Sequence, residues 1–458
     1  MSAPAKSKKT IVIDENTPLL LLAGPMFLEL FLNTMLNNVD TLMLSHYNES
    51  AVGAVGNANT IMFMMNIMFS VIATATNVVV AQYLGAKQFD KMNMIYSLSI
   101  IVNFVVGLVL SAAFCAANPL IMQFLNVSDA MRPHSMIYIY IVGGAGFVTA
   151  VFNVLLQILR CNGYTKIGMW ISLAINIINI FGNFLFLYGP LKPLNMGVAG
   201  VAVSTVAARA IAVTVLMGFF LLKIGKISLR YLKPFPWSLL IKMIKIGLPT
   251  AGEHLTYNLY QTTLLSFVNR MGDDSVNARA YCNTIISFAM IFSNAAAMST
   301  QIITGHLVGA EKPDLAYRRV FKTLRVTLPI TIALASLNAI LCRYTLHIFT
   351  DNMNIIALGQ MIMIVDIFVE TGRCLNMTFV SSLKAAGAFV FPLIAGIVCN
   401  WGLGLTTGYA VGVLLGFGVA GIFVGTAADE CIRGLIVMYY WYKKKWVGKA
   451  VVDKKGSD

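Results

Sequence analysis

The chain has 458 residues, of which 58% are apolar and only 11% charged, and its formal net charge is +14. Soluble domains carry about 25% charged residues, so this composition excludes a disordered chain, a secreted disulfide scaffold and an ordinary cytosolic enzyme. Twelve membrane-crossing helices of about 20 residues fit within the length, and the surplus of lysine then bears on membrane orientation rather than on nucleic acid.

Long apolar runs between short polar breaks predict helices at 18–45, 52–83, 93–118, 134–160, 166–188, 197–222, 238–270, 276–306, 318–346, 355–384, 388–412 and 418–442. The basic residues fall on alternate connections. With the N-terminus in the cytoplasm, one face collects Lys6, Lys8 and Lys9, then Lys87 and Lys91, then Arg160 and Lys166. The stretch from Lys223 to Lys245, the group Lys312, Arg318, Arg319, Lys322 and Arg325, then Lys384 and the tail from Lys443 to Lys455 bring that face to 25 of 33 basic residues. The opposite face holds Arg132, Lys192, Arg270, Arg279 and Arg343, and Arg209, Arg373 and Arg433 fall inside predicted helices. This asymmetry predicts a multi-pass protein of the cell membrane with both termini cytoplasmic. The first apolar run carries Glu29, Asn33, Asn37, Asn38 and Asp40 with no small-residue cleavage site before it, so no cleavable signal peptide is expected. The seven cysteines form no Cys-x-x-Cys pair and read as small packing residues.

A shift of 224 residues aligns the two halves of the chain. Pro25 meets Pro249, Glu29 meets Glu253, Asn59-Thr60-Ile61 meets Asn283-Thr284-Ile285, and Gly85-Ala86 meets Gly309-Ala310. Between positions 25 and 90 there are 13 identities in 66 gapless positions. The same shift pairs Arg160 with Lys384, Gly163 with Gly387 and Asn176 with Asn400; a three-residue slip then pairs Gly197 with Gly418. Six spans return the chain to its starting side, so the halves share one orientation, as in transporters built from parallel repeats. The expected fold is an all-α integral membrane protein of twelve transmembrane helices in two pseudo-symmetric six-helix lobes. The expected organisation is a cytoplasmic tail at 1–17, a first lobe at 18–224, a cytoplasmic linker at 225–245, a second lobe at 246–443 and a tail at 444–458.

Ionisable groups inside a span are costly and carry a functional reading by default. On the first helix Glu29, Asn33, Asn37 and Asp40 are spaced 4, 4 and 3, which places them along one stripe. An acid beside amide oxygens can hold a proton or coordinate a small cation such as Na⁺, although such amides also serve as hydrogen bonds between helices. The seventh helix repeats the spacing with Glu253, Tyr257 and Gln261, but Leu264 stands where Asp40 would fall. The fifth helix adds Asn176, Asn179 and Asn183, the last two on one face. The tenth carries Asp366, Glu370 and Arg373, and the twelfth Asp429, Glu430 and Arg433, trios whose spacing allows pairing within each helix. Met62, Met64, Met65 and Met68 cluster on the second helix, as a core surface or the wall of an adaptable cavity. His254 and His306 lack ligand spacing, and no metal other than Na⁺ at Asp40 is expected. No nucleotide, zinc-protease or hydrolase motif is present, so neither an enzyme nor a cofactor is expected, and any pumping draws on an ion gradient.

Pro25 and Asp40 on the first helix, "QYLGAKQFDK" after the second, "LRCNGYTK" after the fourth and "GVAGVAVST" opening the sixth resemble the multidrug and toxic compound extrusion (MATE) transporters over residues 18–443. The resemblance implies two six-helix lobes facing a central cavity that opens alternately to either side. It also implies export of lipophilic organic cations in exchange for H⁺ or Na⁺, by a protein read as a monomer in the lipid bilayer with no nucleic-acid partner. It carries the coupling site of the first lobe onto Asp40, Asn179, Asn183 and Thr205, and the acid of the second lobe onto Glu253. Some members have an aspartate where Asn183 stands, which leaves H⁺ and Na⁺ both open, and Arg373 falls where some have a carboxylate. The wider cavity set is Glu29, Asn33, Asn37, Tyr257, Gln261, Asp366, Glu370 and Arg373. A flippase for a lipid-linked precursor shares this architecture but calls for several cavity arginines; an intramembrane enzyme or receptor calls for a catalytic constellation or a large soluble domain.

Overall fold

A computed structural model of the chain describes residues 13–47, 49–124, 127–129, 131–194 and 196–452. Lys6, Lys8, Lys9, Lys454 and Lys455 lie outside the described residues, as does the side chain of Asn37.

Among the described residues twelve helical spans run in chain order: α1 (Leu19–Tyr47), α2 (Glu49–Gly85), α3 (Met92–Phe124), α4 (Arg132–Gly143 and Gly146–Cys161), α5 (Thr165–Leu187), α6 (Val198–Lys223), α7 (Trp237–Asn269), α8 (Asp273–Gly309), α9 (Pro313–His347), α10 (Met353–Ala385), α11 (Val390–Leu414) and α12 (Gly418–Tyr442). Among the described residues there is no β-strand. Helix starts use ordinary chemistry. Pro313 occupies the first turn of α9, where its missing N–H is no loss, and the Asn352 side chain caps α10 by accepting from the Asn354 N–H at 2.9 Å. The 37 residues of α8 extend about 55 Å at 1.5 Å per residue, well beyond a hydrocarbon core of about 30 Å.

Nine of these helices, or ten with the bent α4, are long and apolar enough to cross a membrane on composition alone. The other two carry more charge: Lys242, Lys245 and Glu253 on α7, of which Lys245 is exposed, and Asp429, Glu430 and Arg433 on α12, all three buried. Two spans are not regular. α4 bends by 48° where the Gly144 N–H reaches back five residues to the Ile139 carbonyl. α11 contains wide turns of the same kind, ending where the Leu415 N–H meets the Ala410 carbonyl.

The 224-residue repeat is written in the backbone. Lys87 and Glu311 both take positive φ, 55° and 57°, after α2 and α8. Gly163 and Gly387, after α4 and α10, have φ of 83° and 93°, and Gly197 and Gly418, at the starts of α6 and α12, have 45° and 59°. Each pair is one the alignment makes. At Gly387 glycine is required twice over, since a Cβ there would also stand 1.8 Å from the Lys449 carbonyl oxygen.

Internal contacts divide the chain into two compact units, residues 28–247 and residues 13–27 with 248–452. The expected first lobe began at 18, so the start of α1 differs from that boundary. Its attachments give the reason. Arg319 donates to the carbonyls of Glu15 and Thr17 at 2.9 and 2.8 Å, Ser299 donates to the Met26 sulfur at 3.3 Å, and Phe27 meets Phe292 edge-on. Within the first unit Gly247 lies against the Val71 carbonyl, so closely that a Cβ would stand 2.0 Å from it. The divisions fall within two residues of Pro25 and Pro249, the aligned prolines inside α1 and α7.

Candidate functional site

The first unit encloses a cavity of about 570 Å³ between α1, α2, α4, α5 and α6. Its apolar wall includes Met62, Met65, Phe63, Phe69 and Phe152, and its polar groups include Asn33, Asp40, Asn59, Asn179, Thr205 and Arg209. The methionine cluster thus splits by face: Met62 and Met65 are buried at the cavity, whereas Met64 and Met68 are 52% and 44% exposed on the outside of the helix.

Asp40 stands at the head of a hydrogen-bonded chain. The Asn183 amide donates to Asp40 Oδ1 at 2.7 Å and to Asn179 Oδ1 at 3.0 Å. Asn179 in turn donates to Thr205 Oγ1 at 3.0 Å, and Thr205 donates to the Val201 carbonyl at 3.0 Å. Two helix contacts set this geometry. Gly182 lets α5 approach α6 until a Cβ would stand 2.6 Å from Ser204 Oγ, and Asn176 fastens α5 to α1 by donating to the Leu32 carbonyl at 2.8 Å. The four residues that the sequence assigned to cation or proton coupling are therefore contiguous. Asn183 Oδ1 is buried without a partner, so the set offers one carboxylate, amide oxygens and a hydroxyl. Those are hard donors suited to a proton or a small monovalent cation. Among the described residues no group of three His, Cys, Asp or Glu side chains could hold a metal ion.

Sequence spacing missed Arg209. It lies one turn after Thr205 on α6, lines the same cavity and donates to Thr149 Oγ1 at 2.9 Å. Among the described residues it forms no ion pair. Its position four residues beyond Thr205 was the available signal.

Glu29, expected as a cavity residue, does not line this cavity. It is 1% exposed and paired with Arg160 of α4 at 2.5 Å, in a space kept open by Gly168. Asn33 does line the cavity.

In the second unit, Glu253 pairs with Lys384 at 2.9 Å. The trios of α10 and α12 form one buried cluster rather than two local ones. Arg373 contacts Glu370 within its own helix but also faces Glu430 at 3.7 Å, and Arg433 reaches Glu430 at 2.9 Å and Asp429 at 3.1 Å. Asn376 donates to Glu430 at 2.9 Å. Glycine permits the crossing: a Cβ on Gly372 would stand 2.5 Å from the Cys431 nitrogen. Asp366, four residues before Glu370, is buried with both carboxylate oxygens lacking a hydrogen bond. Tyr257 lies under the Arg433 guanidinium and accepts from Gln261 at 3.0 Å, and Gln261 accepts from Arg279 at 3.2 Å. Arg279, assigned to the outer face, is buried, with its guanidinium donating to the carbonyl and side-chain oxygens of Gln261 at 3.4 and 3.2 Å.

The MatE family model matches residues 25–185 and again residues 249–410. An uncharacterized transporter, YisQ of Bacillus subtilis, is 36% identical over 440 residues, covering 96% of each chain. The probable multidrug resistance protein NorM of Thermotoga maritima is 24% identical, covering 95% of this chain and 94% of that protein. The NorM multidrug resistance protein of Vibrio cholerae is 23% identical, covering 94% and 96%. Among solved structures, a multidrug resistance MATE family transporter in an outward-facing conformation has the same fold. Its TM-score is 0.88 at 17% identity, over 97% of this chain and 98% of that one.

Proposed function

The chain belongs to the MATE family of multidrug and toxic compound transporters, and from that premise we propose that it is a secondary active antiporter exporting lipophilic organic cations in exchange for H⁺ or Na⁺. It is a multi-pass membrane transporter and not an enzyme. The observation that carries the coupling role is the continuous chain Asp40–Asn183–Asn179–Thr205 beside a cavity large enough for a drug-sized ligand. A proton or Na⁺ at Asp40 neutralises the one carboxylate of that chain and changes which partners α1 and α5 can hold. Substrate and coupling ion then compete for a single state of the first lobe, which is the thermodynamic content of exchange. Alternating access supplies the path to either side, and the lysine-rich face, by the positive-inside bias, is the cytoplasmic one.

A flippase for a lipid-linked precursor is the weaker reading. Of the three arginines that the sequence places inside spans, Arg373 and Arg433 are committed to ion pairs and only Arg209 lines the described cavity.

The test is export of ethidium from proteoliposomes with ΔpH and ΔNa⁺ imposed separately. Export driven by one gradient and lost in Asp40→Asn is expected. Full gradient-driven export by Asp40→Asn would remove Asp40 from the coupling step, and no export under either gradient would remove the antiport reading.

A further inference from the structure

We propose that a groove between the start of α11 and the end of α12 is a site for one anionic phospholipid, its phosphate on Lys445 and Lys449 and an acyl chain along Leu435 and Ile436. The site shares no residue with the coupling chain or with the first-lobe cavity. Residues 443–449, which follow α12, are built onto the second unit. Trp446 stacks on Trp441 with ring centroids 4.1 Å apart, both are buried, and the Trp446 indole donates to the Trp441 carbonyl at 3.2 Å. Lys444 pairs with Asp314 at 2.6 Å, and the Lys449 carbonyl oxygen fills the space that a side chain at Gly387 would need. The lysines of this turn are therefore held in fixed places.

The groove has a volume of about 330 Å³ and is lined by Phe391, Leu435, Ile436, Tyr439, Tyr440 and Lys445. Within it Phe391 and Tyr440 stack at 3.9 Å between centroids. Lys449 donates to the Tyr440 hydroxyl at 2.7 Å, which leaves two of its N–H donors for a ligand, and Lys443 stands 5.6 Å over the Tyr439 ring. Lys445 is exposed and has no ion pair among the described residues. Tyr439, Tyr440, Trp441 and Tyr442 run directly into Lys443, Lys444 and Lys445, an aromatic belt followed by cations, which sets this end of the groove at the headgroup level. Leu435 lies seven residues before Tyr442, about 10 Å along the helix and toward the hydrocarbon. The segments that form the groove supply no acid, since Asp and Glu are absent from 371–428 and from 431–452. The fold itself does not call for these cations. The alignment that pairs Gly197 with Gly418 puts Leu222, Ile224 and Ser228 where Lys443, Lys445 and Lys449 stand. An apolar trough that ends in ammonium groups matches a phosphodiester joined to an acyl chain. A second copy docked by the same face would set lysine against lysine.

The experiment is native mass spectrometry of the full chain released from micelles that hold dioleoyl phosphatidylglycerol and dioleoyl phosphatidylcholine in equal amounts. Wild type is expected to retain one phosphatidylglycerol about fivefold more often than a phosphatidylcholine. Lys445→Gln with Lys449→Gln is expected to bring that ratio to within about twofold of unity. Lys223→Gln with Lys226→Gln, the same change of charge around the end of α6, should leave it at the wild-type value. No preference in wild type, an unchanged ratio in the first double variant, or an equal fall in both overturns the proposal. Displacement of the lipid by soluble glycerol phosphate also overturns it, by assigning the lysines to a free phosphoester. So does a dimer abolished by Leu435→Glu, which would give the face to a second copy. Lys449→Gln removes the bond to Tyr440 as well. Should that double variant fail to fold, Lys445→Gln alone decides: it alters an exposed side chain without a partner, a lowered ratio is expected, and an unchanged one overturns the proposal.

Discussion

Arg160 holds Glu29 at 2.5 Å, and 224 residues later Lys384 holds Glu253 at 2.9 Å in the same arrangement. Each acid lies four residues beyond the proline of its helix, Pro25 in α1 and Pro249 in α7, and each base comes from near the end of the third helix on. The two ion pairs fasten the helix just past the point where its contacts pass from one unit to the other. Their recurrence at a position of low exposure, in halves that have otherwise diverged, marks them as supports of the fold. Neither pair lines the first-lobe cavity.

That role has a measurable signature. Removing one member of a buried pair leaves a charge without its partner and costs about 3–5 kcal/mol, whereas replacing both with apolar groups is close to neutral. Glu29→Leu and Arg160→Met should each lower the melting temperature in detergent sharply, and the double variant should recover most of the loss. Additive losses in the double variant would mean that the two side chains act independently.

Thr205 ends the amide chain from Asp40, and its hydroxyl is the acceptor for Asn179. Thr205→Val keeps the shape and removes the acceptor, at a cost of about 1–3 kcal/mol for an unpaired buried amide. It should also loosen Asn179 and Asn183 and weaken gradient-driven export, and Thr205→Ser should restore both. Export and melting temperature at wild-type values in Thr205→Val would place Thr205 outside the coupling unit.

Much of this was legible in the chain. The repeat showed through because its motifs sit at turns where backbone conformation restricts the residue, as at Gly163 and Gly387. Asn179 and Asn183 could be placed on one face from the helical period alone. Which face of α6 looks toward α1 depends on packing at Gly182 and Ser204, so Arg209 passed as one more intramembrane charge. The trios of α10 and α12 looked local for a related reason. Spacings of three and four satisfy a pair within a helix, and only the close approach at Gly372 brings Glu430 into reach of Arg373. Likewise Glu29 and Arg160 are 131 residues apart, and the shift that aligned each with its counterpart said nothing of their contact.

Close approach also governs the last two spans. A Cβ on Gly425 of α12 would stand 2.4 Å from the Gly404 carbonyl oxygen and from the Gly408 nitrogen of α11. Both are backbone atoms that no side-chain rotation can clear. Gly425→Ala should therefore cost about 1–3 kcal/mol through overpacking, whereas Gly402→Ala, at a position with nothing within 4 Å, should melt as wild type does. Equal melting of the two variants would show that the α11–α12 contact is looser than described.

The second-lobe cluster separates two kinds of buried acid. Four carboxylates, Asp366, Glu370, Asp429 and Glu430, share two guanidiniums, Arg373 and Arg433. Glu430 receives Arg433, Arg373 and Asn376 together, so Glu430→Gln should remove the bridge between the two helices, leaving Arg373 to Glu370 and Arg433 to Asp429, and lower the melting temperature. Asp366 has no hydrogen-bond donor on either oxygen and shares its helix with Glu370, so its negative charge opposes the cluster rather than completing it. Asp366→Asn should then be neutral or raise the melting temperature, even though the residue is only 1% exposed. If the stability effect is confined to folding, export by Asp366→Asn under either gradient stays at wild-type rates. A stable Asp366→Asn protein that no longer exports would instead place this acid in the transport cycle, as a group whose buried carboxyl is a fault in the resting fold and a requirement of its function.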